Sequence, residues 1–179
     1  FNNYNKINND VIEVWINILK KVSGSKLLLK SSTKKENNKF KDLLKKQNLE
    51  QSVTFLPTSK FFKDHINLYK KIDIALDTFP WNGVTTSFEA IWMGVPVITM
   101  RGNNFNSRCG ESINKNIQMD QLIANNKQDY VLKTLALVKD IKILSDTRDR
   151  IFNNALSSAL FDSKKFSNDF FNLIRNVAS

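Results

Sequence analysis

Asp77-Thr-Phe-Pro-Trp-Asn-Gly-Val-Thr-Thr-Ser-Phe-Glu-Ala-Ile-Trp-Met-Gly-Val-Pro-Val-Ile-Thr-Met100 decides the fold. The apolar run Ile72, Ile74, Ala75 and Leu76 before it reads as a buried strand. A turn carrying Pro80, Asn82 and Gly83 follows, and Thr85-Thr86 opens a helical pattern that stops at Gly94. Val95 to Met100 then reads as a second buried strand. Strand, loop, helix and strand make a βαβ unit with a hydroxyl pair at the helix start. Unpaired amides and partial positive charge at such a start favour a phosphate-bearing ligand, of which a nucleotide is the first candidate.

Outward from this stretch the same alternation continues. Asp10 to Val22 spaces Val11, Ile12, Val14, Trp15, Ile18, Leu19 and Val22 as a helix, stopped by Ser23-Gly24-Ser25. Lys26 to Lys30 is a short strand, Ser31 to Asn37 a polar loop, and Asn38 to Gln47 a helix with Phe40, Leu43 and Leu44 inward. Val53 to Leu56 predicts a strand, Asp64 to Lys71 a helix and Asp73 to Leu76 a strand. Beyond Met100 come a loop (101–106), a helix over 108–113, one long helix over 128–145 and a closing helix over 163–177. Helices alternating with short apolar strands predict a doubly wound, Rossmann-like α/β fold on a parallel sheet, in one unit spanning 1–179. In such sheets ligands lie beyond the carboxyl ends of the strands, so the 57–64 and 79–86 loops share one rim.

Composition narrows the partners. No apolar run approaches the ~20 residues of a membrane span. The start, Phe1-Asn-Asn-Tyr-Asn-Lys6, has neither the form of a signal peptide nor an initiator methionine, which predicts a fragment of a longer chain. A single cysteine, Cys109, fits a reducing, cytoplasmic compartment, and one histidine makes a zinc site a poor expectation. The net charge is +10, but the lysines fall in scattered pairs, so solvated surface is the expectation and a nucleic-acid face the rival. The Asn-, Lys- and Ile-heavy composition suits an AT-rich bacterial genome.

Several side chains have two readings. Thr85 and Thr86 can cap a helix or greet a phosphate, with Gly83 letting a ligand reach the backbone. Glu89, one turn on, shares their face and can accept from ribose hydroxyls or simply favour the helix dipole. His65 is a core or solvated histidine, or a ligand contact. Trp15 and Trp92 read as core. Lys6 and Arg108 are surface residues or anion clamps.

The quoted stretch resembles the carboxyl-terminal catalytic lobe of the O-GlcNAc transferase/SPINDLY family of protein glycosyltransferases. Phe1-Asn-Asn-Tyr-Asn-Lys-Ile7, Ser107-Arg108 and Ser158-Ala-Leu-Phe161 are similar to family segments in the same order. Asp77-Thr-Phe-Pro80 leans toward SPINDLY and bacterial members. The resemblance implies one lobe of a GT-B fold that binds the donor nucleotide sugar. It assigns the catalytic role to Lys6 at the donor diphosphate, with Asn3 near the phosphates. It places His65 on the nucleobase, Thr85 and Thr86 at the phosphate and Glu89 on the ribose. The family's loop lysine has two competing matches, Lys60 and Lys63, and Val84 replaces a histidine of the animal enzymes. The implied reaction is inverting, metal-independent GlcNAc transfer from UDP-GlcNAc to Ser or Thr, with no cofactor. Implied partners are an upstream lobe, tetratricopeptide repeats and a protein acceptor, without which this lobe catalyses nothing. The rivals are a GDP-fucose or UDP-hexose transferase, and a non-catalytic nucleotide-binding scaffold.

Overall fold

The computed structural model describes residues 2–30 and 34–178. Its elements run, in order, α1 (Asn9–Lys21), β1 (Leu27–Lys30), α2 (Lys34–Lys45), β2 (Val53–Leu56), α3 (Phe62–Leu68) and β3 (Ala75–Leu76). They continue through α4 (Thr85–Trp92), β4 (Val97–Met100), α5 (Cys109–Asn116), β5 (Ile123–Ala124), α6 (Lys127–Val138), α7 (Ile141–Ser157) and α8 (Ser163–Ala178). Every strand pair is parallel. Leu27 faces Val53 across β1 and β2, Ala75 faces Val97 across β3 and β4, and Thr99 faces Ile123 across β4 and β5.

The chain winds from β1 to β2 on one side and from β3 through β4 to β5 on the other. Among the described residues no strand pairing joins β1 to β3; a cavity of about 570 Å³ lies there, lined by both strands. That reversal of winding is where a doubly wound sheet opens a crevice for ligands.

Local chemistry explains the elements. Asn8 caps α1 by accepting from the Val11 amide, and Val11, Val14, Trp15, Ile18 and Leu19 bury one face. Buried aliphatics of this kind contribute about 1.5–3 kcal/mol each. Gly94, at φ +65°, ends α4. Its amide donates to Ile91 O at 2.9 Å and that of Val95 to Ala90 O at 2.8 Å, a Schellman turn that feeds the chain into β4. β4 is buried along most of its length, with Val97, Ile98 and Thr99 at 0–2% exposure.

Several expectations need correction. The helix expected over 38–47 begins at Lys34, inside the segment read as loop; of that segment, residues 31–33 lie outside the described residues. Among the side chains described in α2, Phe40 and Leu44 are buried, and the polar sequence of its first turns, Lys34 to Lys39, carries no apolar period. The single helix expected over 128–145 is two. α6 stops at Val138, and Asp140 accepts from the Lys142 amide to start α7, which runs on to Ser157. The short strand β5 was not expected, because two apolar residues are too few to show a period. Trp15 is core as expected, but Trp92 is 49% exposed, its ring 5.1 Å from that of Phe161. Among the described residues no helix is long and apolar enough to cross a membrane.

Candidate functional site

The loop from β3 to α4 is organised by one carboxylate. Asp77, directly after β3 and 2% exposed, accepts at Oδ1 from the Gly83 amide (2.7 Å), the Thr78 amide (2.9 Å) and Asn2 Nδ2 (3.0 Å). Its Oδ2 accepts from Thr99 Oγ1 of β4 at 2.8 Å. Burial pushes this acid up to about 6, against the pull of its four hydrogen bonds. Asn82, fully buried, donates from Nδ2 to Thr78 O at 3.0 Å and closes the loop on itself.

The N-terminal segment docks on the same loop at three points. Asn2 joins Asp77 and also accepts from Thr86 Oγ1 at 2.8 Å. Lys6 Nζ donates to Asn82 O at 2.9 Å and stands 5.7 Å from the centre of the Trp81 ring. Asn8 Nδ2 donates to Phe79 O at 2.7 Å. The start of the chain is thereby brought to the start of α4, which the sequence pattern could not reveal. Asn3 is placed differently from its neighbour: it is exposed, and its side chain accepts from the Asn5 amide.

At α4 the capping position is Val84, and no side chain caps the helix. Thr85 and Thr86 therefore do not serve as caps. Thr85 is exposed, and Thr86 is tied to Asn2. Gly83 packs so closely that a Cβ there would meet Ser87 Oγ and Thr86 Oγ1 at 2.7 Å.

One turn further on, Glu89 reaches His65 of α3. His65 Nε2 lies 2.8 Å from Glu89 Oε2, and its Nδ1 lies 2.8 Å from Lys30 Nζ at the end of β1. Tyr69, one turn after His65, directs its hydroxyl at Glu89 Oε2 (2.9 Å) and Thr86 O (3.1 Å). Burial lowers the Lys30 ammonium, with the Glu89 charge opposing, and raises the Tyr69 phenol far above its ordinary range.

His65, Gly83, Thr85, Thr86 and Glu89 thus gather at the carboxyl ends of the strands, where the topology puts the 57–64 and 79–86 loops, and the docked N-terminal segment adds Lys6. Lys60 and Lys63 are exposed on the loop and first turn that lead into α3. Arg108 is engaged elsewhere: its Nε donates to Glu111 Oε2 at 2.9 Å, which holds that buried carboxyl below its usual range. Sequence reasoning missed Asn2, Lys30, Tyr69, Asp77 and Asn82 as parts of the site. Of these only Asp77 left a signal, a carboxylate between an apolar strand and a Pro/Asn/Gly turn.

The rim offers an uncapped helix start, two lysines and a carboxylate whose Oε1 takes no partner among the described residues. Such a set suits a ligand that carries both phosphate and vicinal hydroxyls.

The model of glycosyl transferase family 41 matches residues 1–170. A probable UDP-N-acetylglucosamine–peptide N-acetylglucosaminyltransferase SPINDLY of Solanum lycopersicum is 34% identical over 99% of this chain. The SPINDLY protein of Eustoma exaltatum is 37% identical over 94%. In each case the chain spans 19% of the relative's length. Among solved structures, a mutant O-GlcNAc transferase of Thermobaculum terrenum superposes with a TM-score of 0.92 at 26% identity, covering 98% of this chain and 34% of that one. The expected fold, one lobe of the GT-B type, therefore holds, and the chain belongs to glycosyl transferase family 41.

Proposed function

We propose that this chain is the donor-binding lobe of an inverting, metal-independent protein O-glycosyltransferase that takes GlcNAc from UDP-GlcNAc to a Ser or Thr hydroxyl. The observation that carries the reading is the meeting of three parts at one rim. The uncapped start of α4 and Lys6 supply cation and amide donors for a diphosphate, and Glu89 supplies an acceptor for ribose hydroxyls. In transfer, the acceptor oxygen bonds to the anomeric carbon as the bond from that carbon to the diphosphate breaks; the hydroxyl proton is released to solvent and the departing UDP gains negative charge. Lys6 and the helix-start amides oppose that charge by preorganised electrostatics, and one such donor is worth roughly 2.7–4 kcal/mol of barrier. The names of the SPINDLY relatives support the donor and the peptide acceptor. Their greater length supports a longer parent chain, in which the proposed enzyme has a second catalytic lobe and tetratricopeptide repeats, and the lone cysteine supports a cytoplasmic setting.

Calorimetric titration of the chain with UDP and with GDP tests this. UDP is expected to bind in preference, and Lys6→Ala and Glu89→Ala each to weaken it by about tenfold or more, the scale of a lost charged hydrogen bond. Preference for GDP would move the donor to a GDP-sugar at the same site. Binding untouched by both substitutions would remove the nucleotide from this rim.

A further inference from the structure

Lys30, the last residue of β1, comes from an element that the family resemblance assigned no role. Its ammonium is a donor only, so its 2.8 Å contact makes His65 Nδ1 the acceptor. The ring hydrogen then sits on Nε2, which faces Glu89 Oε2 at 2.8 Å and donates to it. The opposite tautomer would set an N–H against an ammonium and a lone pair against a carboxylate, two repulsive contacts in place of two hydrogen bonds. Tyr69 brings its hydroxyl to the same oxygen at 2.9 Å. Both donors converge on Oε2, and Oε1 keeps its accepting capacity. The three participants in the line come from β1, α3 and α4, so the line also fixes α3 against the start of α4.

We propose that Lys30 is a positioning residue of the donor site: through the His65 ring it fixes Glu89 so that one carboxylate oxygen is held by the protein and the other is left for a ligand hydroxyl. This rests on the nucleotide-sugar reading and deepens it. A structural lysine would contribute packing through its stem, which methionine reproduces. A positioning lysine acts through its charge and donor capacity, which methionine lacks and arginine keeps. Burial of the ammonium within reach of the Glu89 charge fits the second role.

The chain contains one histidine, so its imidazole can be read without assignment. The experiment records long-range proton–nitrogen spectra of ¹⁵N-histidine-labelled protein at pH 8, for the wild type, Lys30→Met and Lys30→Arg. UDP affinity of all three is measured alongside. The expected result is the Nε2–H tautomer in the wild type and Lys30→Arg. In Lys30→Met a mixture of tautomers is expected, with UDP binding about tenfold weaker at an unchanged unfolding midpoint. A Lys30→Met spectrum like the wild type's, or equal UDP affinity in a wild type that binds, would overturn the inference alone. A wild type that binds neither UDP nor GDP would overturn the donor reading and, with it, the role given to Lys30.

Discussion

Asp77 shows how one residue sets both the stability and the shape of the rim. Its Oδ1 gathers three donors and its Oδ2 one, so truncation to alanine strands buried N–H groups at about 1–3 kcal/mol each where they find no water. Asp77→Ala is therefore expected to lose about 3 kcal/mol or more in urea denaturation. Asp77→Asn keeps the acceptor at Oδ1, and Thr99 can turn its hydroxyl to accept from the new amide, so its loss at pH 5 should stay under about 1 kcal/mol. The pH dependence has a definite sign. The folded acid sits at about 6, above the ordinary aspartate value of 3.8, so the native state holds the proton more tightly. The contribution is fully present below about pH 4 and is lost as pH rises to about 6, at most about 3 kcal/mol in all. Asp77→Asn should remove that fall from the stability–pH curve; a variant curve that keeps it would assign the titration to another group. The hydroxyl pair, the glycine and Glu89 were legible because they lie within one helical turn or so in sequence. Lys30, His65 and Glu89 were not legible as a set, because the contacts that join them span 35 and 24 positions.

The α4 start depends on the absence of a side chain at Gly83. A Cβ there would fall 2.7 Å from Thr86 Oγ1 and 2.9 Å from Asn2 Oδ1, the two atoms that hydrogen-bond each other at 2.8 Å. Both belong to short side chains already committed to partners, and neither moves without loosening the N-terminal segment from the loop. Gly83→Ala is expected to cost about 1–3 kcal/mol, as overpacking of a filled site does. It should also weaken UDP binding, because the segment carrying Lys6 is docked through that contact. The two readouts together discriminate. Lost stability with unchanged affinity would show that Lys6 is held by Asn82 alone. The mis-set boundaries elsewhere are also element-scale effects: α2 extends through residues with no apolar period, and the break between α6 and α7 is made by a side-chain cap at Asp140, a signal that lies in one residue.

At the scale of the molecule, burial runs from α1 through β4 to α7, and every residue of α8 is exposed. The alternation of apolar strands and amphipathic helices was enough to give the parallel, doubly wound class. It could not show that β1–β2 and β3–β4–β5 face each other across a cavity, since strand pairing is a long-range choice made by tertiary packing. α8 marks the other limit. Its period is clear, with Phe166, Phe170, Leu173, Ile174 and Val177 as its apolar side, yet none of its residues is buried. Strong amphipathicity fixed the helix without fixing what covers it. Because a helix that buries nothing contributes little to the cooperative core, shortening the chain to end at Asp162 is expected to leave the thermal midpoint within about 3 °C. Amide exchange in the complete chain should be fast along 163–178 and slow along α4 and β4. Slow exchange in α8, or a midpoint several degrees lower without it, would mean that its apolar side is packed in solution and that this lobe's core extends through its final helix.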